Sequence, residues 1–145
     1  MRILVLPAAV FLVILLAACS SDSGEGGDLD VVLDEYSVVT NPDMLPEGPI
    51  KFDIKNVGEV EHELLIVGLG NQSAELPTKD DGSFDEDAGG VDVAHEIDDI
   101  EPGDETSRSY DLDPGNYALL CNIVDGEESH YAQGMWTELT ITADE

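Results

Sequence analysis

The 145-residue chain predicts an all-β domain, a β-sandwich or barrel, on three observations. Apolar and polar residues alternate in several short runs, Gly, Pro and Asp separate those runs, and no stretch keeps a helical period over three turns. The length suits one domain with a proper core. Ile50, Phe52 and Ile54 alternate with Lys51, Asp53 and Lys55, the pattern of a strand with one wet face. Glu61 to Gly68 puts His62, Leu64 and Ile66 on one face. Gly115 to Ile123, after the Pro114-Gly115 turn, does the same for Tyr117, Leu119 and Cys121. The last strand, Met135 to Ala143, groups Met135, Thr137, Leu139 and Ile141. These faces point His62, Cys121 and Met135 toward a common apolar core near one end of the domain.

Residues 71–99 form the least regular region, an acidic insertion that includes the run Lys79 to Asp87. Its carboxylates are a conceivable calcium site, but their spacing does not fit an EF-hand loop, and acidic runs are commonly just solvated. His95 alternates with Val93 and Ile97 and reads as a structural or surface residue, because no Cys or second His lies at ligand spacing from it.

The N-terminus differs from the rest. Met1-Arg2 precedes an uncharged apolar stretch from Ile3 to Ala18, short of a spanning helix, which reads as a secretory signal peptide. The stretch ends Leu16-Ala17-Ala18-Cys19 and resembles the lipobox of bacterial lipoproteins. That resemblance implies cleavage before Cys19, a lipid on its sulfur, and an extracytoplasmic protein held to the membrane by the lipid alone. An uncleaved N-terminal anchor is the alternative. Ser20 to Asp28, without an apolar residue, reads as a flexible tether. The expected organisation is thus a signal peptide over 1–18, a lipidated Cys19 and tether over 19–28, and one domain over 29–145.

Removal of the signal takes Arg2 with it, leaving Lys51, Lys55, Lys79 and Arg108 against 33 acidic groups, a net charge of −29. Such a domain is not expected to bind nucleic acid, or an anionic membrane surface through its charge. The acidity suits either a patch that docks a basic partner or the solvated surface of a halophile. Composition does not separate the two.

Cysteine is scarce. With Cys19 assigned to the lipid, Cys121 stands alone in an oxidising compartment, where it is either buried and inert or held by something such as a metal. Cys121, His130 and Met135 follow one another as C-x8-H-x4-M, and His62 lies upstream at the start of an apolar run. The order His, Cys, His, Met resembles the cupredoxins, the type 1 copper proteins. Asn56-x5-His62, Gly115-x-Tyr117-x3-Cys121 and Ala132-x-Gly134-Met135 are similar to plastocyanin, while the Cys-to-His gap matches that of copper nitrite reductases. The resemblance covers roughly Leu29 to Thr142. It implies a Greek-key β-sandwich of the cupredoxin type, with one copper held by His62, Cys121, His130 and Met135.

The donor set is chemically apt. A thiolate and two imidazoles suit both Cu(I) and Cu(II), a weak thioether completes the site, and Met is a poor ligand for zinc. The implied function is single-electron transfer with a redox partner protein, by a monomer that is not an enzyme. Copper handling, as a chaperone or scavenger, is the runner-up, although Met and His are rare here. A nitrite reductase would need a second domain and a further copper site, which this length does not supply. Tyr131 and Trp136 are candidate partner contacts near His130. The chain departs from the family at Glu63, where cupredoxins commonly carry an Asn or Ser bracing the ligand loops, and Asn122 is the candidate substitute.

Overall fold

The computed structural model describes residues 25–70 and 76–143. The expected signal peptide, Cys19 and most of the tether lie outside the described residues. Among the described residues no helix is long and apolar enough to cross a membrane.

Two sheets pack face to face. The first contains β1 (Gly27–Asp34), β2 (Ser37–Asn41), β4 (Gly48–Asn56) and β7 (Glu105–Leu112) in the order β2-β1-β4-β7. The second contains β3 (Met44–Pro46), β5 (His62–Gly68), β6 (Asp92–Ile100), β8 (Gly115–Leu120) and β11 (Trp136–Thr142) in the order β3-β11-β8-β5-β6. A two-residue ribbon, β9 (Val124–Asp125) with β10 (Glu128–Ser129), sits in the connection between β8 and β11. Strands adjacent in sequence are often not adjacent in space: β1 pairs parallel with β4, and β4 antiparallel with β7, while β5 and β6 lie in the opposite sheet. These crossings make the all-β sandwich that the alternating pattern predicts.

The core forms where the inward faces meet. Leu29, Val31 and Leu33 of β1 and Ile50, Phe52 and Ile54 of β4 are buried, and Asp28, Asp30, Lys51 and Lys55 between them are exposed. Facing them are Leu64, Ile66, Tyr117, Leu119, Leu139 and Ile141, in one cluster that also contains Cys121 and Met135. Burying one large apolar side chain of this kind contributes about 1.5–3 kcal/mol.

Four boundaries differ from the sequence expectation. β1 starts at Gly27, two residues ahead of Leu29. The ligand strands are shorter than their apolar runs: β8 ends at Leu120 and β11 begins at Trp136, so Cys121 and Met135 sit just past the strand ends. Finally, the irregular region does not extend to 99, because Asp92–Ile100 is strand β6, paired along β5.

What remains of the insertion has a packing role. Leu65, Val67, Ala118 and Leu120 face outward from β5 and β8 and are still buried, because Leu69 and Phe84 cover them in a second cluster. Phe84 itself has no exposed surface. The charged run around it is occupied with its own turns: Asp81 accepts from the Ser83 N–H and hydroxyl, and Asp85 from the Asp87 N–H. It does not gather three carboxylates into a metal-sized group. His95 is half-buried on β6 and stacks on Tyr110, 3.8 Å between ring centroids.

Candidate metal centre

The four residues singled out in the sequence meet at one end of the sandwich. His62 opens β5, Cys121 follows β8, His130 follows β10, and Met135 immediately precedes β11. All four are buried, each with at most 1% exposure. Cys121 Sγ lies 3.8 Å from His62 Nδ1 and 3.4 Å from His130 Nδ1. At typical metal bond lengths of about 2.0 Å to imidazole nitrogen and 2.3 Å to thiolate, one ion can touch sulfur and nitrogen at these separations. The two imidazole rings meet edge-on, 5.2 Å apart.

The loop between Cys121 and Met135 is laced to itself by its backbone. Cys121 N–H donates to Met135 O (3.1 Å), Met135 N–H to His130 O (3.1 Å), and His130 N–H to Ile123 O (2.9 Å). Ser129 accepts from Gln133 N–H through its carbonyl and from Ala132 N–H through its hydroxyl. The turn closes at Gly134, whose φ of 100° disfavours any residue with a Cβ. Three of the four donors therefore belong to one hydrogen-bonded unit. The fourth is held by Asn56, which is fully buried: its amide donates to Val60 O and Ile100 O (both 2.8 Å), and its Oδ1 accepts from Gly58 N–H. That pins the loop leading into His62.

Burial sets the protonation of the donors. Desolvation pushes both imidazoles down from their ordinary range, which keeps them neutral and able to ligate. Desolvation also pushes the Cys121 thiol up to about 11. A buried thiol pushed up in pKa beside two neutral imidazoles is deprotonated most readily by the charge of a bound metal ion. The residues present thus fit a soft metal ion.

The position after His62 is braced, and by its side chain. Glu63 accepts the Asn122 N–H at 3.0 Å, and the Asn122 side chain in turn bonds the Phe84 N–H and C=O and Glu86. Glu63 and Asn122 therefore share the role that the sequence leaves between them. Desolvation raises the Glu63 carboxyl to about 7, with Glu96, Asp98 and Glu86 adding repulsion against the opposing Asn122 bond. Among the described residues, Glu63, Glu96 and Asp98 are the one other group close enough to hold an ion.

Two residues at this end carry no sequence signal. Glu35 and Tyr36 form the turn between β1 and β2; Glu35 Oε1 lies 3.2 Å from His62 Nε2, and the Tyr36 ring meets His130 edge-on at 5.1 Å. They lie far upstream of the ligand motif, and only the parallel pairing of β1 with β4 brings their turn beside it. Of the candidate partner contacts, Trp136 is exposed, whereas Tyr131 is half-buried against Phe84. The depression that reaches His130 is lined instead by Val60, Glu61, Ile123, Val124 and Asp125.

No protein-family model matches the chain, and no curated protein matches it in sequence. Its fold is similar to that of solved blue copper proteins. Auracyanin from the photosynthetic bacterium Roseiflexus castenholzii superposes with a TM-score of 0.56 at 17% identity, over 80% of this chain and 96% of that one. Auracyanin A, a "blue" copper protein from Chloroflexus aurantiacus, gives 0.50 at 14% identity over 81% and 100%. Rusticyanin from Thiobacillus ferrooxidans gives 0.54 at 13% identity over 81% and 79%. At these identities the likeness is one of fold, and the fold is that of the cupredoxins.

Proposed function

We propose that this protein is an electron-transfer protein that binds one copper ion through His62, Cys121, His130 and Met135. The observation that carries this reading is the convergence of Cys121 Sγ with the Nδ1 atoms of both histidines, beside a buried Met135 in the same core cluster. Copper bound there would supply a one-electron Cu(I)/Cu(II) couple. The protein's part is to keep the donors where they are. Strand ends and a self-bonded loop fix their geometry, and burial excludes water and other ligands. Donors so constrained favour a resident ion over one that is handed on, which sets this reading apart from copper handling.

The protein is proposed to act outside the cytoplasm as a monomer, tied to the membrane by lipid on Cys19. A redox partner protein is proposed to dock at the ligand end, through Tyr131 and the exposed Trp136 and over the depression beside His130 that Val124 helps to line. No role with nucleic acid is proposed.

The full-length protein given one equivalent of Cu(II) should show an intense visible absorption band from thiolate-to-copper charge transfer. Cys121→Ser should abolish it, and slow copper exchange should accompany it in the wild type. A colourless wild-type complex removes the type 1 assignment, and exchange within minutes favours copper handling. In cell fractionation, Cys19→Ala should move the protein out of the membrane fraction, and equal retention of both forms points to an uncleaved anchor.

A further inference from the structure

His62 Nε2 is a buried polar atom with no fully aligned hydrogen-bond partner. Its ring places Nδ1 toward Cys121 Sγ and Nε2 toward Glu35 Oε1, 3.2 Å away. A neutral imidazole carries one proton on one of these two nitrogens. Placed on Nδ1, the proton would block the ligand atom and leave the Nε2 lone pair facing a carboxylate. Placed on Nε2, it meets the carboxylate and leaves Nδ1 open.

The carboxylate is itself in a built socket. Glu35 Oε1 accepts the N–H groups of Glu59 (2.9 Å) and Val60 (3.0 Å). Gly58 lies so close that a Cβ there would come within 2.3 Å of the same oxygen, so a larger residue would push the carboxylate out of this position. Asn56 fixes that loop from its other side through Gly58 and Val60. The segment that grips Glu35 is thus the segment that delivers His62. The turn carrying Glu35 arrives from the other sheet, where Leu33 pairs with Asn56.

We propose that Glu35 is the positioning residue for His62, holding the ring with its proton on Nε2 so that Nδ1 is free to bind metal. A carboxylate behind a ligating imidazole fixes the ring and makes it a stronger donor. Its negative charge also favours the more highly charged oxidation state of a bound ion. The proposal rests on the copper reading for its effect on potential, but not for its effect on the ring.

The test therefore has two arms on the full-length protein. In the metal-free arm, nitrogen-15 NMR of the imidazoles should find His62 protonated at Nε2, with that proton protected from exchange. Glu35→Gln, which keeps an acceptor, should retain the protection, and Glu35→Ala should speed exchange at least tenfold. A proton on Nδ1, or equal exchange in all three proteins, overturns the proposal whether or not copper binds.

In the copper arm, Glu35→Gln should lower the ratio of Cu(II) to Cu(I) affinity about tenfold, which raises the potential by about 59 mV. Glu61→Gln removes an exposed carboxylate adjacent in sequence to His62 that instead faces Glu101 and Asp99, and should move it by less than half as much. Equal shifts from the two variants would reduce Glu35 to a general charge effect and also overturn the proposal. A wild type without a blue band would remove the copper reading and leave the first arm to decide.

Discussion

The two sheets solve different problems. The β2-β1-β4-β7 sheet is wet on one side: its apolar residues alternate with Asp28, Asp30, Lys51 and Lys55, and its outer face carries ion pairs such as Lys51–Asp53 and Lys55–Glu105. The β3-β11-β8-β5-β6 sheet is covered on both sides at its centre, where β5 and β8 are almost continuously buried. All four proposed ligands belong to this second sheet or to its connections. The first sheet contributes the Glu35-Tyr36 turn, which backs the two imidazoles from outside, and Asn56 at the end of β4, which pins the loop into His62. A metal centre that must keep its geometry is thus seated in the part of the molecule with the least freedom. What surrounds it is supplied by the part that faces water.

The difference can be broken at several points, and the covered sheet should suffer most. Phe84→Ala opens the outer face of β5 and β8 and should cost about 3–5 kcal/mol, read as a shifted urea midpoint. A loss under about 1 kcal/mol would mean that the 76–91 segment merely lies on the sheet. Asn122→Ala comes next. It leaves the Phe84 N–H and C=O without their partner and should cost about 1–3 kcal/mol. Because Asn122 follows Cys121, the variant should also release copper faster, seen as accelerated bleaching with a chelator. An unchanged release rate would separate the cover from the metal centre. On the wet sheet, Lys55→Ala removes an exposed partner of Glu105 and should change stability by less than about 1 kcal/mol. A larger effect there would erase the contrast between the sheets.

The 76–91 segment shows how this contrast is written into the chain. Its sequence is dominated by Asp, Glu and Gly and reads as a solvated insertion, with Phe84 as its one aromatic residue. The clue to its role lies elsewhere, in the run Leu64-Leu65-Ile66-Val67. Four consecutive apolar residues in a strand do not alternate, and such a strand is covered on both faces. Something had to lie over Leu65 and Val67, and local sequence does not say what.

The proposed ligand set can be read without coordinates because it depends on residue chemistry and order along the chain. One of two cysteines, two of three histidines and a late methionine fall at spacings that only a few sites use. Strand faces were legible for a similar reason, since period-2 alternation is a local property that burial enforces at every residue. By contrast, Glu35 and Tyr36 are two ordinary residues in a chain with 33 acidic groups and four tyrosines, and neither stands at a spacing that means anything. Their role arises from the parallel pairing of β1 with β4, which sets a hairpin turn against a loop some twenty residues later. Glu63 is similar: its sequence position marks it as a departure, but only the packed fold shows it receiving the Asn122 N–H. Sequence by itself determined the all-β class, the core faces and the proposed donors, because each is carried by short-range pattern or by chemical identity. Tertiary structure alone decided what stands behind the donors, because contacts across strands depend on register and sheet packing, which no local pattern encodes.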